Sequence, residues 1–203
     1  MNAIFKLNGL TLETERLLLR PFCNDDLEDF YEYASVEGVG EFAGWPHHES
    51  KDISIKILEN FIKEDKTFAI VCKENNKVIG SLGIEKYRCE ESLPEFDGYI
   101  GREIGFVLSK DYWRNGYMTE AVKKIIDYLF KTLDYDFIIC AHSSLNPRSQ
   151  RVQEKCGFKP YRKIDCHVIF GNNEDCDIIN LLINPNKKIS FNFSHPETLI
   201  WEE

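Results

Sequence analysis

The residues best suited to chemistry lie in Ile104–Ala121, IGFVLSKDYWRNGYMTEA. An apolar run ends in a polar turn, Arg114-Asn115-Gly116, and a helical pattern follows at once. Met118, Ala121, Val122, Ile125, Ile126, Leu129, Phe130 and Leu133 recur at alternating steps of three and four, which is one apolar helix face. The turn therefore presents a helix start. Its first N–H groups lack carbonyl partners and its dipole favours anions. A phosphate-bearing cofactor suits such an end. A glycine turn that merely redirects the chain would use the same residues.

Other candidates are weaker. Arg148, Arg151, Lys155, Lys159, Arg162 and Lys163 form a basic patch, read either as a solvated helix face or as a contact for a cofactor phosphate. The net charge of −9 argues against a general nucleic-acid binder. Seven scattered cysteines without a CxxC pair read as reduced thiols, several of them core fillers. Cys166, His167 and Cys176 match no familiar zinc spacing, so no metal is expected. Cys140 lies near His142, but FIICA reads as a buried strand rather than a nucleophile site.

The elements that must position these residues follow from patterning. The chain has 203 residues, 43% of them hydrophobic and 29% charged, which suits one soluble domain with a real core. We expect a single domain over residues 1–203, with its core at about 12–183 and a tail over 185–203. No run is long and apolar enough for a membrane span, and no basic head precedes an apolar stretch at the start, so a cytoplasmic protein is expected.

Arg16–Phe22 reads as a strand. Asn24-Asp25-Asp26 opens a helix with Leu27, Phe30, Tyr31 and Ala34 on its buried face. Glu37–Pro46 is a glycine-rich loop. Ser50 caps a second helix with the apolar face Ile53, Ile57, Leu58, Phe61 and Ile62. Thr67–Cys72 and Lys77–Ile84 form an antiparallel hairpin about Asn75-Asn76. Arg88–Gly98 reads as an acidic loop, and Tyr99–Leu108 as the strand before the glycine turn. Phe137–Ala141 is the next strand, and the crossover between these two must be parallel and right-handed. Asn146-Pro147 starts a helix that Gly157 ends. Phe158–Phe170 and Asp177–Ile183 close the pattern as strands about the turn Gly171-Asn172-Asn173. The crevice beyond the carboxyl ends of the parallel strands is where open sheets bind ligands.

Four segments in this order resemble the GNAT acyltransferases, and more closely the RimJ/RimL-type branch that acetylates N-terminal and other primary amines. They are Leu12–Pro21 (LETERLLLRP), Glu103–Ala121 (EIGFVL through YWRNGYMTEA), Asn146-Pro147-Arg148-Ser149 and Lys155-Cys156-Gly157-Phe158. The resemblance implies an α/β fold (α+β by some schemes). Its mixed, mostly antiparallel twisted sheet would carry helices on both faces, and a central parallel strand pair would splay to bind acetyl-CoA. Backbone N–H groups of Arg114, Asn115, Gly116, Tyr117, Met118 and Thr119 would hold the coenzyme A pyrophosphate. Phe106, Val107 and Leu108 would pair with the pantetheine arm, and Asn146 would hydrogen-bond it. Trp113 stands where the family loop begins with Gln or Arg, Met118 where it ends with a small residue, and Gln153 where many members carry a tyrosine general acid.

Acyl transfer to an amine needs a neutral nucleophile, a polarised carbonyl and a stabilised leaving thiolate. Glu103 is the candidate base or the group that orders a water as base. It could equally anchor a cationic substrate or face solvent as a plain strand residue. Ser149 is the candidate donor to the leaving sulfur, unless it only satisfies the first turn of its helix. Tyr112, Tyr117 and Tyr161 offer further hydroxyls. Glu37, Glu41 and Asp97 could attract a positively charged amine. The expected activity is acetyl-CoA-dependent N-acetyl transfer to a primary amine (a protein N-terminus or a small amine) in a ternary complex, by a monomer or homodimer. A non-catalytic acyl-CoA-binding module with the same fold is the alternative.

Overall fold

The computed structural model describes residues 3–87, 96–165 and 176–189. The segment 88–95, the turn 171–173, the cysteines Cys89 and Cys166 with His167, and the tail from 190 lie outside the described residues. Among the described residues, backbone hydrogen bonds order eight strands as β1-β2-β3-β4-β5-β6-β8-β7. The chain divides into two compact units, one of Ile4–Ile84 with Gly105–Ile125, the other of Met1–Ala3, Glu85–Ile104 and Ile126–Glu203.

The first unit holds β1 (Leu12–Glu13), β2 (Leu17–Pro21), β3 (Thr67–Cys72) and β4 (Lys77–Glu85, all but its last residue), joined antiparallel in sequence order. Asn76 takes a φ of 57° in the β3–β4 turn, the left-handed conformation that Asn tolerates. The two-residue strand β1 is too short to leave a periodic signal and was not expected. Helices α1 (Leu27–Ala34) and α2 (Lys51–Glu64) pack on the cluster Phe22, Phe30, Tyr33, Leu58, Ala69 and Val71. Arg20 forks onto the buried Asp26 carboxylate at 2.7 Å on both oxygens, which fixes the approach to α1.

Two expected helix faces need correction. In α1 it is Tyr33 that is fully buried, whereas Tyr31 is only half-buried. In α2, Ile53 and Ile62 are 39% and 37% exposed. The seated line runs Ser54, Ile57, Leu58 and Phe61, a stripe narrower than the apolar face, and Ser54 joins it with a hydrogen bond to His48. Ser50 takes an extended N-cap conformation without a side-chain capping bond.

The second unit holds the start of β5 (Gly101–Leu108), β6 (Phe137–Ser143), β7 (Lys159–Asp165), β8 (Cys176–Ile183) and α4 (Pro147–Lys155). β5 and β6 pair in parallel over Gly101↔Phe137, Arg102↔Ile138 and Glu103↔Ile139, as the crossover required. The ladder stops at Glu103, and β6 continues on β8 through Ser143. The core here is aromatic: Phe96 stacks on Phe137 at 4.5 Å, with Tyr87 and Tyr161 against the same rings. Phe137 is fully buried, so its truncation to Ala would cost about 3–5 kcal/mol. At α4 the expected caps are present. Asn146 accepts from the Ser149 N–H at 3.2 Å, Pro147 opens the helix, and Gly157 follows it at a φ of 90°.

Helix α3 (Tyr117–Lys131) begins directly after Gly116. Met118, Ala121, Val122, Ile125, Leu129 and Phe130 are buried along it, and Ile126 and Leu133 are half-buried. The periodic face therefore lies where the spacing placed it.

Candidate active site

In the first unit, the site is built from main-chain groups. β5 ends at Leu108, and a short 3-10 turn over Lys110–Tyr112 leads to the loop. The Trp113 indole N–H donates to the Leu108 carbonyl at 2.8 Å, and its ring packs on the α1–α2 core. The unexpected tryptophan therefore ties the loop to the strand end. Arg114 and Gly116 both take left-handed conformations, with φ of 65° and 80°. These two left-handed residues bracket Asn115 and bend the main chain where α3 starts, the helix end whose first N–H groups favour anions. Gly116 O accepts from the Glu120 N–H at 3.0 Å, so Gly116 caps α3 with its carbonyl. The Met118 side chain is buried on the apolar face of the helix, which answers how a large residue fits there: it points into the core.

The carboxylate of Glu120 holds the loop from behind. It accepts from the Thr14 hydroxyl, from the Arg16 main-chain N–H and from the Arg16 side chain at 2.5, 3.0 and 2.7 Å. Burial pushes this carboxyl up, but the bonds from Thr14 and Arg16 outweigh it and hold it below the usual range. Sequence patterning singled out none of these three for a role. Glu120 carries no local signal, because its partners lie more than a hundred residues earlier in the chain.

In the same unit Glu41 does something other than wait for an amine. Its oxygens accept from the Gly38 N–H at 2.6 Å and from the His47 N–H and ring at 3.2 and 2.8 Å. The acid is committed to closing its own loop. Glu37 is exposed, and its carbonyl accepts from the Lys110 ammonium. Tyr112 accepts from the Asn75 amide at 2.7 Å, and Tyr117 stacks under Arg16.

In the second unit Glu103 is 8% exposed and closes the parallel ladder opposite Ile139. It is not a solvent-facing strand residue. Ser149 lies on the first turn of α4, where Asn146 already serves its N–H. The Ser149 hydroxyl oxygen instead accepts from the Gln153 amide at 3.0 Å, and the same amide donates to the Ala141 carbonyl at 3.3 Å. Gln153 is 1% exposed. Gln153, where the resemblance expects a tyrosine, thus holds the Ser149 hydroxyl by its oxygen. Cys140 is fully buried, and burial first, then the nearby Glu103 charge, pushes its thiol well above the ordinary range, so it is inert filler. Tyr161 sits in the aromatic core. Asp97 is exposed. Within the basic patch, Arg162 is buried rather than solvated.

His142 is buried at the end of β6, and its Nδ1 lies 2.9 Å from the Asn180 side-chain amide. Among the described residues no cluster of His, Cys, Asp or Glu is placed to hold a metal ion. Among them, too, no helix is long and apolar enough to cross a membrane.

A family profile described as the acetyltransferase (GNAT) domain matches residues 16–159. The chain belongs to the GNAT acetyltransferases. It is 27% identical over 153 residues to YoaA of Bacillus subtilis, an uncharacterized N-acetyltransferase, covering 73% of this chain and 82% of that one. A GNAT acetyltransferase structure from Bacillus anthracis superposes with a TM-score of 0.74 at 24% identity, over 86% of this chain and 99% of the other. The spermidine N-acetyltransferase of Vibrio cholerae, solved with CoA and spermine, shares the fold with a TM-score of 0.66 at 16% identity, over 84% and 97% of the two chains.

Proposed function

We propose that this acetyltransferase moves an acetyl group from acetyl-CoA directly to a primary amine, on a protein N-terminus or a small molecule, and that it belongs to a RimJ/RimL-like branch. The observation that carries the reading is the pair of left-handed residues, Arg114 and Gly116, at the start of α3. Met118 leaves this loop clear by turning into the core, so main-chain donors from Arg114 through Thr119 fit a diphosphate. Phe106, Val107 and Leu108 offer strand backbone to the pantetheine arm, and the side-chain amide of Asn146 offers it a hydrogen bond.

The thioester supplies an activated acetyl carbon. Glu103, directly or through a water, takes the proton that the amine nitrogen loses as it bonds to that carbon. The carbon–sulfur bond breaks, and the sulfur takes up a proton from solvent while the Ser149 hydroxyl donates a hydrogen bond to the departing thiolate. Gln153 keeps that hydroxyl aimed by occupying its oxygen. Holding both reactants in place supplies the larger part of the rate, up to roughly 7–11 kcal/mol in well-aligned cases. The excess of acids favours a cationic acceptor. The free thiols of Cys23, Cys72, Cys140 and Cys156 suit a reducing compartment, and we place the protein in the cytoplasm.

The test is thiol release from acetyl-CoA with a panel of peptides, polyamines and aminoglycosides. We expect turnover with at least one amine class. We also expect Glu103→Gln to lower it roughly 100-fold or more while CoA still binds. Absence of CoA binding by calorimetry overturns the reading. Unchanged turnover in Glu103→Gln removes the base from it.

A further inference from the structure

The turn between β1 and β2 reaches the cofactor loop from about a hundred residues away, and the chemistry above gives it no part. Yet Arg16 engages three of its donor atoms there. Nε and Nη2 lie 2.7 and 2.6 Å from one Glu120 oxygen, and Nη1 donates to the Asn115 carbonyl at 3.0 Å. The guanidinium also lies 4.3 Å from the centroid of the Tyr117 ring. Thr14 completes the arrangement. Its hydroxyl donates to the other Glu120 oxygen while its oxygen accepts from the Leu17 N–H at 2.9 Å.

Two physical consequences follow. The carbonyl and the N–H of a trans peptide point in opposite directions. With the Asn115 carbonyl held by Arg16, the Gly116 N–H is aimed to the opposite side of the peptide plane. The second consequence is electrostatic. Glu120 puts a carboxylate in the first turn of α3, where it would repel an arriving anion. Arg16 cancels that charge.

We propose that Arg16 is a positioning residue for the phosphate end of the donor. It sets the Asn115–Gly116 peptide plane and neutralises Glu120, so that the loop accepts a diphosphate. This rests on reading the loop as the CoA diphosphate site. Arg16 itself touches no reacting atom, so its influence is confined to donors that carry the diphosphate. That separates it from a role in general stability.

Calorimetric titration with CoA and with pantetheine, which lacks the diphosphate, tests this on the full chain. Arg16→Gln is expected to weaken CoA about tenfold, the order of one lost charge-assisted contact, and to leave pantetheine unchanged. Arg16→Lys keeps the charge but not the three-atom fork and is expected to fall between. Arg16→Gln with Glu120→Gln is expected to recover part of the loss, because the bare carboxylate is gone. Equal CoA affinity in wild type and Arg16→Gln overturns the proposal, and so does parallel weakening of CoA and pantetheine. Should Arg16→Gln not fold, Arg16→Lys decides by the same two criteria. A wild-type protein that binds pantetheine as tightly as CoA overturns the diphosphate reading itself, which distinguishes that failure from failure of the role of Arg16.

Discussion

The loop that opens α3 and the loop that precedes α2 are built alike, since each bends at glycines and each gathers donors on one carboxylate. They differ in where the donors come from. Glu120 collects Thr14 and Arg16 from over a hundred residues away, whereas Glu41 collects Gly38 and His47 from within six. The first hub fixes its loop against the strands of its unit. The second is a local clasp, dependent on little besides itself. One lysine touches both: Lys110 donates to the Glu37 carbonyl and lies 5.7 Å from the Trp113 ring. A loop held by distant partners depends on the tertiary fold, while a loop clasped by near neighbours depends on its own sequence.

Glu120→Ala should break the comparison most deeply. It strands the Thr14 hydroxyl and the Arg16 fork together, and a loss of about 2–4 kcal/mol in unfolding free energy is expected by urea titration. CoA affinity should fall in the same variant. Unchanged CoA affinity would mean that the loop keeps its shape without its hub.

Gly40→Ala acts on the other loop. Gly40 has an ordinary φ of −86°, so backbone strain is absent, but a Cβ would stand 2.2 Å from the Trp45 ring. That ring packs on the α1–α2 core and cannot move cheaply. About 1–3 kcal/mol of destabilisation is expected, with CoA binding intact. Replacing Trp45 by Leu in the same chain should restore part of it. If it does not, the clash is not the cause.

This contrast also explains what was legible in the sequence. Rules of short reach survived: the Asn76 turn, the Asn146-Pro147 and Gly157 caps, the parallel crossover and the face of α3. The turn that opens α3 was legible for the same reason, because Gly116 and the apolar period after it are local signals. Trp113 and Met118, where the resemblance expects other residues, both pack inward. The failures share one cause as well. Whether Ile53 and Ile62 are covered depends on how α2 meets its neighbours, which periodicity within α2 does not contain. Whether Glu41 is a free acid or a hub depends on which donors fold against it, and charge alone does not contain that.

Glu41→Gln sharpens the contrast by keeping shape and removing charge. Burial pushes the Glu41 carboxyl up, but the His47 ring and the Gly38 and His47 N–H groups bring it below the usual range. The folded state therefore binds its proton less readily than the unfolded chain. This stabilisation is present above the ordinary carboxylate range and is lost as pH falls through the folded value. The variant should lose about 1 kcal/mol at neutral pH, and little at a pH where the wild-type carboxyl is already protonated. An equal loss at both would assign the effect to shape rather than charge.

The smallest effect belongs to His48, which anchors the far end of the same loop. Its Nδ1 lies 2.7 Å from the Ser54 hydroxyl, and its ring meets Phe30 edge-on and tilts against Trp45. Burial, and then the neighbouring His47, lowers its pKa. The folded protein therefore takes up this proton less readily than the unfolded chain, whose histidine titrates near about 6.5. The resulting stability is whole above that pH and drains away as pH falls through the folded value. Thermal midpoints of the wild type should decline across that window, and His48→Asn should decline less while keeping the bond to Ser54, because the Asn amide stands where Nδ1 did. CoA affinity should follow the same pH course in wild type and in His48→Asn, since the ligand's own phosphate monoester titrates alike in both. Courses that differ would show that the clasp and the loop that opens α3 are coupled, with Lys110 the first contact to examine.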